Sequence, residues 1–319
     1  MDRRERIISE LQVAPGGPAS LAGRDTRWTG GSEFDLLSAT ELDATAKSVL
    51  AGGVEQLADA QELLWASDSH ALLVVFQAID AAGKDSTIKH VMSGVNPQGV
   101  QVASFKQPSS EELDHTFLWR ISKAVPERGR IGIFNRSHYE EVVALRVHPE
   151  WLDNQRLPRG DRGASFWADR YDDINAFERH LARNGTKVVK LFLHVSKAEQ
   201  KRRFMARLDQ PNKVWKFSAA DVAERAHWDE YMTAYEDAIT ATSTAWAPWY
   251  VIPADHKHVM QAMAAAILVD TIRSLDLRWP AVSDKARAAN AAALRELEAE
   301  PDEPIDVGHT GAKPATNAE

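Results

Sequence analysis

The chain has 319 residues, with 38 Lys and Arg, 46 Asp and Glu, and no Cys. At 44% hydrophobic and 26% charged it has the make-up of one large globular domain or two ordinary ones, which excludes wholesale disorder. Without Cys there is no disulfide framework, thiolate nucleophile or Cys-ligated zinc, and a formal charge of −8 argues against a general nucleic-acid coat.

Residues 1–33 are Arg-rich and punctuated by Gly and Pro, and read as an N-terminal arm with little core of its own. The start, Met-Asp-Arg-Arg-Glu-Arg, lacks the apolar core of a secretory signal, and no apolar run reaches membrane-spanning length. The expectation is a cytoplasmic protein with no membrane and no nucleic-acid partner. From Ser38 to about Trp65 the apolar spacing is helical, with Ser38 and Glu41 as a capping box and Gly52-Gly53 as a point where the helix divides. Continuous apolar strands are then expected at 71–78, 100–105, 130–135, 187–195 and 248–253. Helices are expected at 84–94, 109–124, 171–184, 197–208, 218–243 and 256–275. Such alternation implies an α/β fold with a parallel sheet covered on both faces. Residues 34–280 would form this domain. Residues 281–319, with eight acids against four bases, would form a short helix and an acidic, solvated tail.

The first strand runs into Gln77-Ala78-Ile79-Asp80-Ala81-Ala82-Gly83-Lys84-Asp85-Ser86. Small residues followed by Gly-Lys, between a strand and a helix, suit a phosphate loop. Ala81, Ala82, Gly83, Asp85 and Ser86 supply backbone N–H groups and a helix N-terminus, and Lys84 supplies a mobile charge. The match to the standard pattern is incomplete. Ala78 replaces the first Gly, and Asp85 stands where a metal-binding hydroxyl is usual. Asp80, a carboxylate at the lip of such a nest, would be repelled by phosphate unless it holds magnesium, or takes or orients a proton.

The third strand ends in Asn135-Arg136-Ser137-His138-Tyr139-Glu140-Glu141, at the end of a parallel sheet where ligands bind. Arg136 would share a crevice with Lys84 and stabilise a phosphoryl group in transfer. Of Glu140 and Glu141, one faces the site and one does not, and the pattern does not say which. His138 and Tyr139 read better as packing or hydrogen-bonding groups than as catalysts. Phe117 and Trp119 read as core, and Arg120 beside them is either a snorkelling side chain or a phosphate clamp. The stretch 197–225 carries eight bases against four acids, and its loop at 209–218 mixes Trp215 and Phe217 with Lys213 and Lys216. A cationic, aromatic helix–loop–helix beside a phosphate site reads as a lid.

At these residues the chain resembles the polyphosphate kinase 2 family. The matching pieces include Asp80-Ala81-Ala82-Gly83-Lys84-Asp85, Val91 through Val100, Phe117-Leu118-Trp119-Arg120, Ile133 through Glu140 and Asn175-Ala176-Phe177-Glu178. Trp215-Lys216-Phe217-Ser218 and Trp246 through Asp255 continue the match. The resemblance spans about 35–280. It implies a P-loop kinase-like three-layer α/β/α sandwich with a five-stranded parallel sheet and a helical lid over about 197–228. It also implies Mg2+-dependent, reversible phosphoryl transfer between inorganic polyphosphate and nucleoside mono- or diphosphates such as AMP and ADP, by a homo-oligomer. Asp80, Lys84, Arg136 and Glu140 would be catalytic. Asn135 and Tyr139 would join the phosphate loop in holding phosphate or nucleotide. Asn135 stands where many members carry Asp, which moves metal binding to Asp80 and Glu140. Lys89, Arg120, Arg203, Arg207, Lys213 and Lys216 would line a polyphosphate groove. The phosphate loop alone fits two other readings, an ATP-dependent P-loop kinase and a non-catalytic nucleotide or polyphosphate binder. The basic lid favours a longer polyanion.

Overall fold

The structure, a computed structural model, describes residues 2–212 and 214–301. The chain divides into two compact units, Met1–Trp279 and Pro280–Glu319. The first is built on five parallel strands: β1 (Ala71–Gln77), β2 (Val100–Ser104), β3 (Ile131–Asn135), β4 (Thr186–His194) and β5 (Trp249–Pro253). Their order is β2-β3-β1-β4-β5. The central strand β1 is buried at every position, as its unbroken apolar run requires. The chain leaves β1 toward one edge and leaves β3 toward the other. The carboxyl ends of β1 and β3 therefore flank the switch point, the crevice where such sheets bind ligands.

The helices of the first unit with eight or more residues are α1 (Arg3–Leu11), α2 (Ala39–Ser67), α3 (Lys84–Val91), α4 (Ala164–Arg183), α5 (Lys197–Leu208), α6 (Trp228–Thr242) and α7 (Lys257–Arg273). One layer joins α2, α3 and α7, and another joins α4 and α6. No helix of the described residues is long and apolar enough to cross a membrane.

Four expectations need correction. The arm is not coreless: Ile8, Leu11, Val13, Ala19 and Leu21 are buried in the main core, and Val13 N donates to Trp249 O (2.9 Å). Helix α2 is not divided at Gly52-Gly53. A Cβ at Gly53 would sit 3.3 Å from Ala265 Cβ, so this glycine lets α2 and α7 approach closely, and the tertiary contact outweighs its low helix propensity. The expected helix at 109–124 is two short turns, Ser110–Leu113 and Trp119–Ser122. The segment 218–243 likewise breaks, into Ala219–Glu224, a turn and α6.

The second unit contains α8 (Asp284–Ala299), capped by Ser283 and exposed along its length. The acidic residues beyond 301 lie outside the described residues.

Candidate active site

The loop between β1 and α3 curls because two residues take left-handed backbone angles, Ala81 (φ 61°) and Gly83 (φ 113°). For Ala81 that conformation costs about 1–2 kcal/mol, so the surroundings must hold it. Helix α5 does so from behind. Gln200 Nε2 donates to Asp80 O (2.9 Å), and the Arg203 guanidinium donates to the carbonyls of Ala81, Ala82 and Ala254. The curl leads directly into the first amides of α3, whose N-cap is Gly83. Those amides have no carbonyl partner in the helix, which makes an anion site. Lys84 begins α3, and its ammonium folds back to donate to Ala78 O (2.7 Å) and Ile79 O (3.4 Å). Burial, and next the nearby Arg136 charge, lower the Lys84 pKa to about 8.

Arg136 enters from the end of β3. It too is left-handed (φ 62°), with its N–H pinned to Phe76 O (3.1 Å). Its guanidinium donates to Asp80 Oδ1 (2.7 Å) and Glu140 Oε2 (3.5 Å). Glu140 and, against the effect of burial, Asp80 raise the Arg136 pKa, so the side chain is a permanent cation. Asn135 Nδ2 donates to Asp85 Oδ1 (2.7 Å), tying the end of β3 to the first turn of α3. Ser86 Oγ accepts from Gln261 Nε2 (3.1 Å). Asp80, Lys84, Asp85, Asn135, Arg136 and Glu140 are thus brought together where β1 and β3 end.

The two glutamates separate cleanly. Glu140 faces the crevice, while Glu141 is buried between Arg120 (3.4 Å) and Arg170 (3.5 Å) and accepts from Gln155 Nε2 (2.5 Å). Glu141→Ala strands two buried guanidiniums, and should lower unfolding stability by about 3–5 kcal/mol in a denaturant titration.

The other expected ligands differ in where they stand and in what engages them. Tyr139 does not reach the crevice. It is 1% exposed, with its hydroxyl between Glu178 Oε1 (2.9 Å) and Lys190 Nζ (3.0 Å). Arg203 is a buried clamp on the loop's back, not a groove lining, because three backbone carbonyls take its donors. Arg207 pairs with Asp221 (4.0 Å). Arg120 lines the same opening as Arg136 and Glu140, and its guanidinium donates to Lys106 O (2.9 Å) and to Glu141. Lys89 is exposed on α3. Lys213 and the side chain of Lys216 lie outside the described residues.

Sequence reasoning missed a second ring of groups. Gln77, in the orientation that satisfies its neighbours, donates to Glu140 Oε1 (3.0 Å) and accepts from Ser137 Oγ (3.0 Å). Asp221, Glu224 and Tyr231 reach the crevice from beyond the 209–218 loop, and Tyr231 Oη donates to Glu224 Oε2 (2.8 Å). Burial, and next the Glu224 bond, raise the Tyr231 pKa, so this hydroxyl stays protonated. Only the polar end of β1, Gln77, gave any signal in the sequence. The crevice opens into a cavity of about 740 Å³ between the 105–108 turn and the 144–155 segment, walled by Phe105, Leu145 and Trp151 and reached by Arg136 and Glu140.

A parallel sheet with a lysine-bearing phosphate loop at its switch point makes this a P-loop kinase-like α/β protein. The polyphosphate kinase 2 family model matches residues 43–278. An ADP-polyphosphate phosphotransferase of Rhodopseudomonas palustris is 53% identical over 235 residues, covering 73% of this chain and 81% of its own. An AMP/ADP-polyphosphate phosphotransferase of Meiothermus ruber is 44% identical over 273 residues, covering 86% and 96%. The crystal structure of polyphosphate kinase 2 from Arthrobacter aurescens TC1 aligns with a TM-score of 0.81 at 41% identity, over 93% of this chain and 99% of that one. The chain belongs to the polyphosphate kinase 2 family.

Proposed function

We propose that this protein transfers a phosphoryl group between inorganic polyphosphate and nucleoside mono- or diphosphates, AMP and ADP among them, reversibly and with Mg2+. The observation that carries the reading is the convergence of Lys84, Arg136, Asp80 and Glu140 on one anion cradle. Relatives named as polyphosphate phosphotransferases of ADP and of AMP/ADP support the substrate pair.

The reaction exchanges one phosphoanhydride for another, so it needs positioning and charge neutralisation more than covalent help. The amides of 81–86 hold the phosphate that stays. Lys84 swings from its carbonyls to a terminal phosphate. Arg136, held to its place by Asp80 and Glu140, meets the transferring group with a planar pair of donors. The walled cavity takes the nucleoside, and closure of the lid excludes water.

The residues suit magnesium. Asp80 has one oxygen on Arg136 and a second with no donor among the described residues, at the edge of the phosphate site. Mg2+ is held by one or two carboxylates together with substrate phosphates, so Asp80, with Glu140 nearby, would hold it. Bound there, the ion neutralises charge on the phosphate oxygens.

Incubation with AMP or ADP, polyphosphate and Mg2+ should yield ADP and ATP. Product formed only when ATP is the donor would overturn the proposal in favour of an ordinary nucleotide kinase.

A further inference from the structure

The middle of β4 contains an anomaly. Val188, Val189, Leu191, Phe192 and Leu193 are buried and apolar, but between them stands Lys190, with no exposed surface at all. Its Nζ donates to Glu178 Oε2 of α4 (2.5 Å), to Thr242 O (2.7 Å) and to Tyr139 Oη (3.0 Å). Glu178 is equally buried, and its Oε1 accepts from Tyr139 Oη (2.9 Å) and pairs with His138 Nε2 (3.3 Å). Burial pushes the Glu178 pKa up, but Lys190 and His138 outweigh it and hold the carboxyl below its ordinary value. A buried ion pair is a poor way to stabilise a core, since apolar residues of similar volume usually do as well or better. The contacts point to another use. Glu178 ends on both His138 and Tyr139 and Lys190 on Tyr139, the residues just after Arg136 and Ser137. Arg136 is left-handed and cannot rest in that conformation unaided. Its amide is fixed to Phe76 O on one side, and the buried network fixes the chain on the other. Tyr139 is further wedged edge-on against Trp249, at 4.7 Å between ring centroids.

We propose that the Glu178–Lys190 pair is a positioning device, which acts through His138 and Tyr139 to hold the Arg136 turn at the geometry phosphoryl transfer requires. This rests on Arg136 acting on the transferring group. Displacing such a group by about 1 Å costs on the order of 100-fold in rate.

The test is a double-mutant cycle in the full-length protein. Glu178→Gln with Lys190→Met removes both charges and nearly keeps volume. We expect a Tm no lower than wild type, a kcat about 10- to 100-fold lower, and a KM for ADP changed by less than about threefold. In an Arg136→Ala background the same pair should change kcat by less than about twofold, because the group it positions is gone. A purely structural role would give equal fold losses in both backgrounds, and that result overturns the inference, as does wild-type kcat in the charge-free variant. If the charge-free variant fails to fold, Tyr139→Phe replaces it in the cycle with the same expectations. A wild type inactive with polyphosphate would overturn the preceding reading instead, and the cycle is then read with ATP as donor.

Discussion

Replacing Lys84 by Met should lower kcat by about 100- to 1,000-fold while leaving Tm no lower than wild type. The lost interaction is a positive charge facing developing negative charge in a site with little water, where one such group is worth several kcal/mol of barrier. Fold stability runs the other way. Burial lowers the Lys84 pKa to about 8, so the folded chain holds this proton less tightly than the unfolded one. The unfavourable contribution is full below pH 8 and is relieved as pH rises toward 10.5, so stability should climb across that window in wild type and not in the variant. Activity should move oppositely. In the free enzyme kcat/KM falls as pH rises through about 8, when the ammonium deprotonates. Initial rates at low nucleotide across pH 6.5–9.5 and thermal melts over the same series check both signs.

Arg136→Ala should cost a comparable 100- to 1,000-fold in kcat, and Arg136→Lys should recover little of it, on the order of tenfold or less. The guanidinium presents a planar fork to Asp80 and Glu140 at 2.7 Å and 3.5 Å, and a lysine offers one point charge on a flexible four-carbon stem. The side chain is 42% exposed, so its removal leaves the core intact. Removing it also leaves two carboxylates facing each other beside a phosphate site. The measurable result is a loss in kcat together with a weaker apparent affinity for Mg2+-bound substrate, read from initial rates at varied magnesium.

Most of the sheet was legible because most strands are short, largely apolar and bounded by turn residues. All five expected strands lie within about two residues of the observed ends, and α5 at 197–208 is as expected. The curled turn between β1 and α3 was legible for the same local reason, a strand ending in small residues and Gly-Lys. Contacts between distant segments were not legible. The helical spacing of 109–124 gave no sign that two short turns stand there, and Gly53 gave no sign that Ala265 would press against it. Arg203 counted as one more cation in a basic stretch. Only the fold shows its guanidinium engaged by backbone carbonyls 121 and 122 residues away. The same blindness made Glu140 and Glu141 equivalent on paper, although a one-step change of direction puts one in the crevice and the other between two buried arginines.

The N-terminal segment carries a practical consequence. Strand β5 is the last in the sheet order, and its outer rim is met by residues 12 and 13, through the Gln12–Tyr250 bridge and the Val13–Trp249 hydrogen bond, and by Ser243 Oγ, which accepts from Trp249 N (3.2 Å). The family match begins thirty residues later, at 43. A shortened chain cut to that boundary would bare a row of unsatisfied peptide groups beside Trp249 and Tyr250, an open template onto which other molecules can stack. Shortened versions for crystallisation or production should keep everything from α1 onward, or they will trade a sealed sheet for a sticky one.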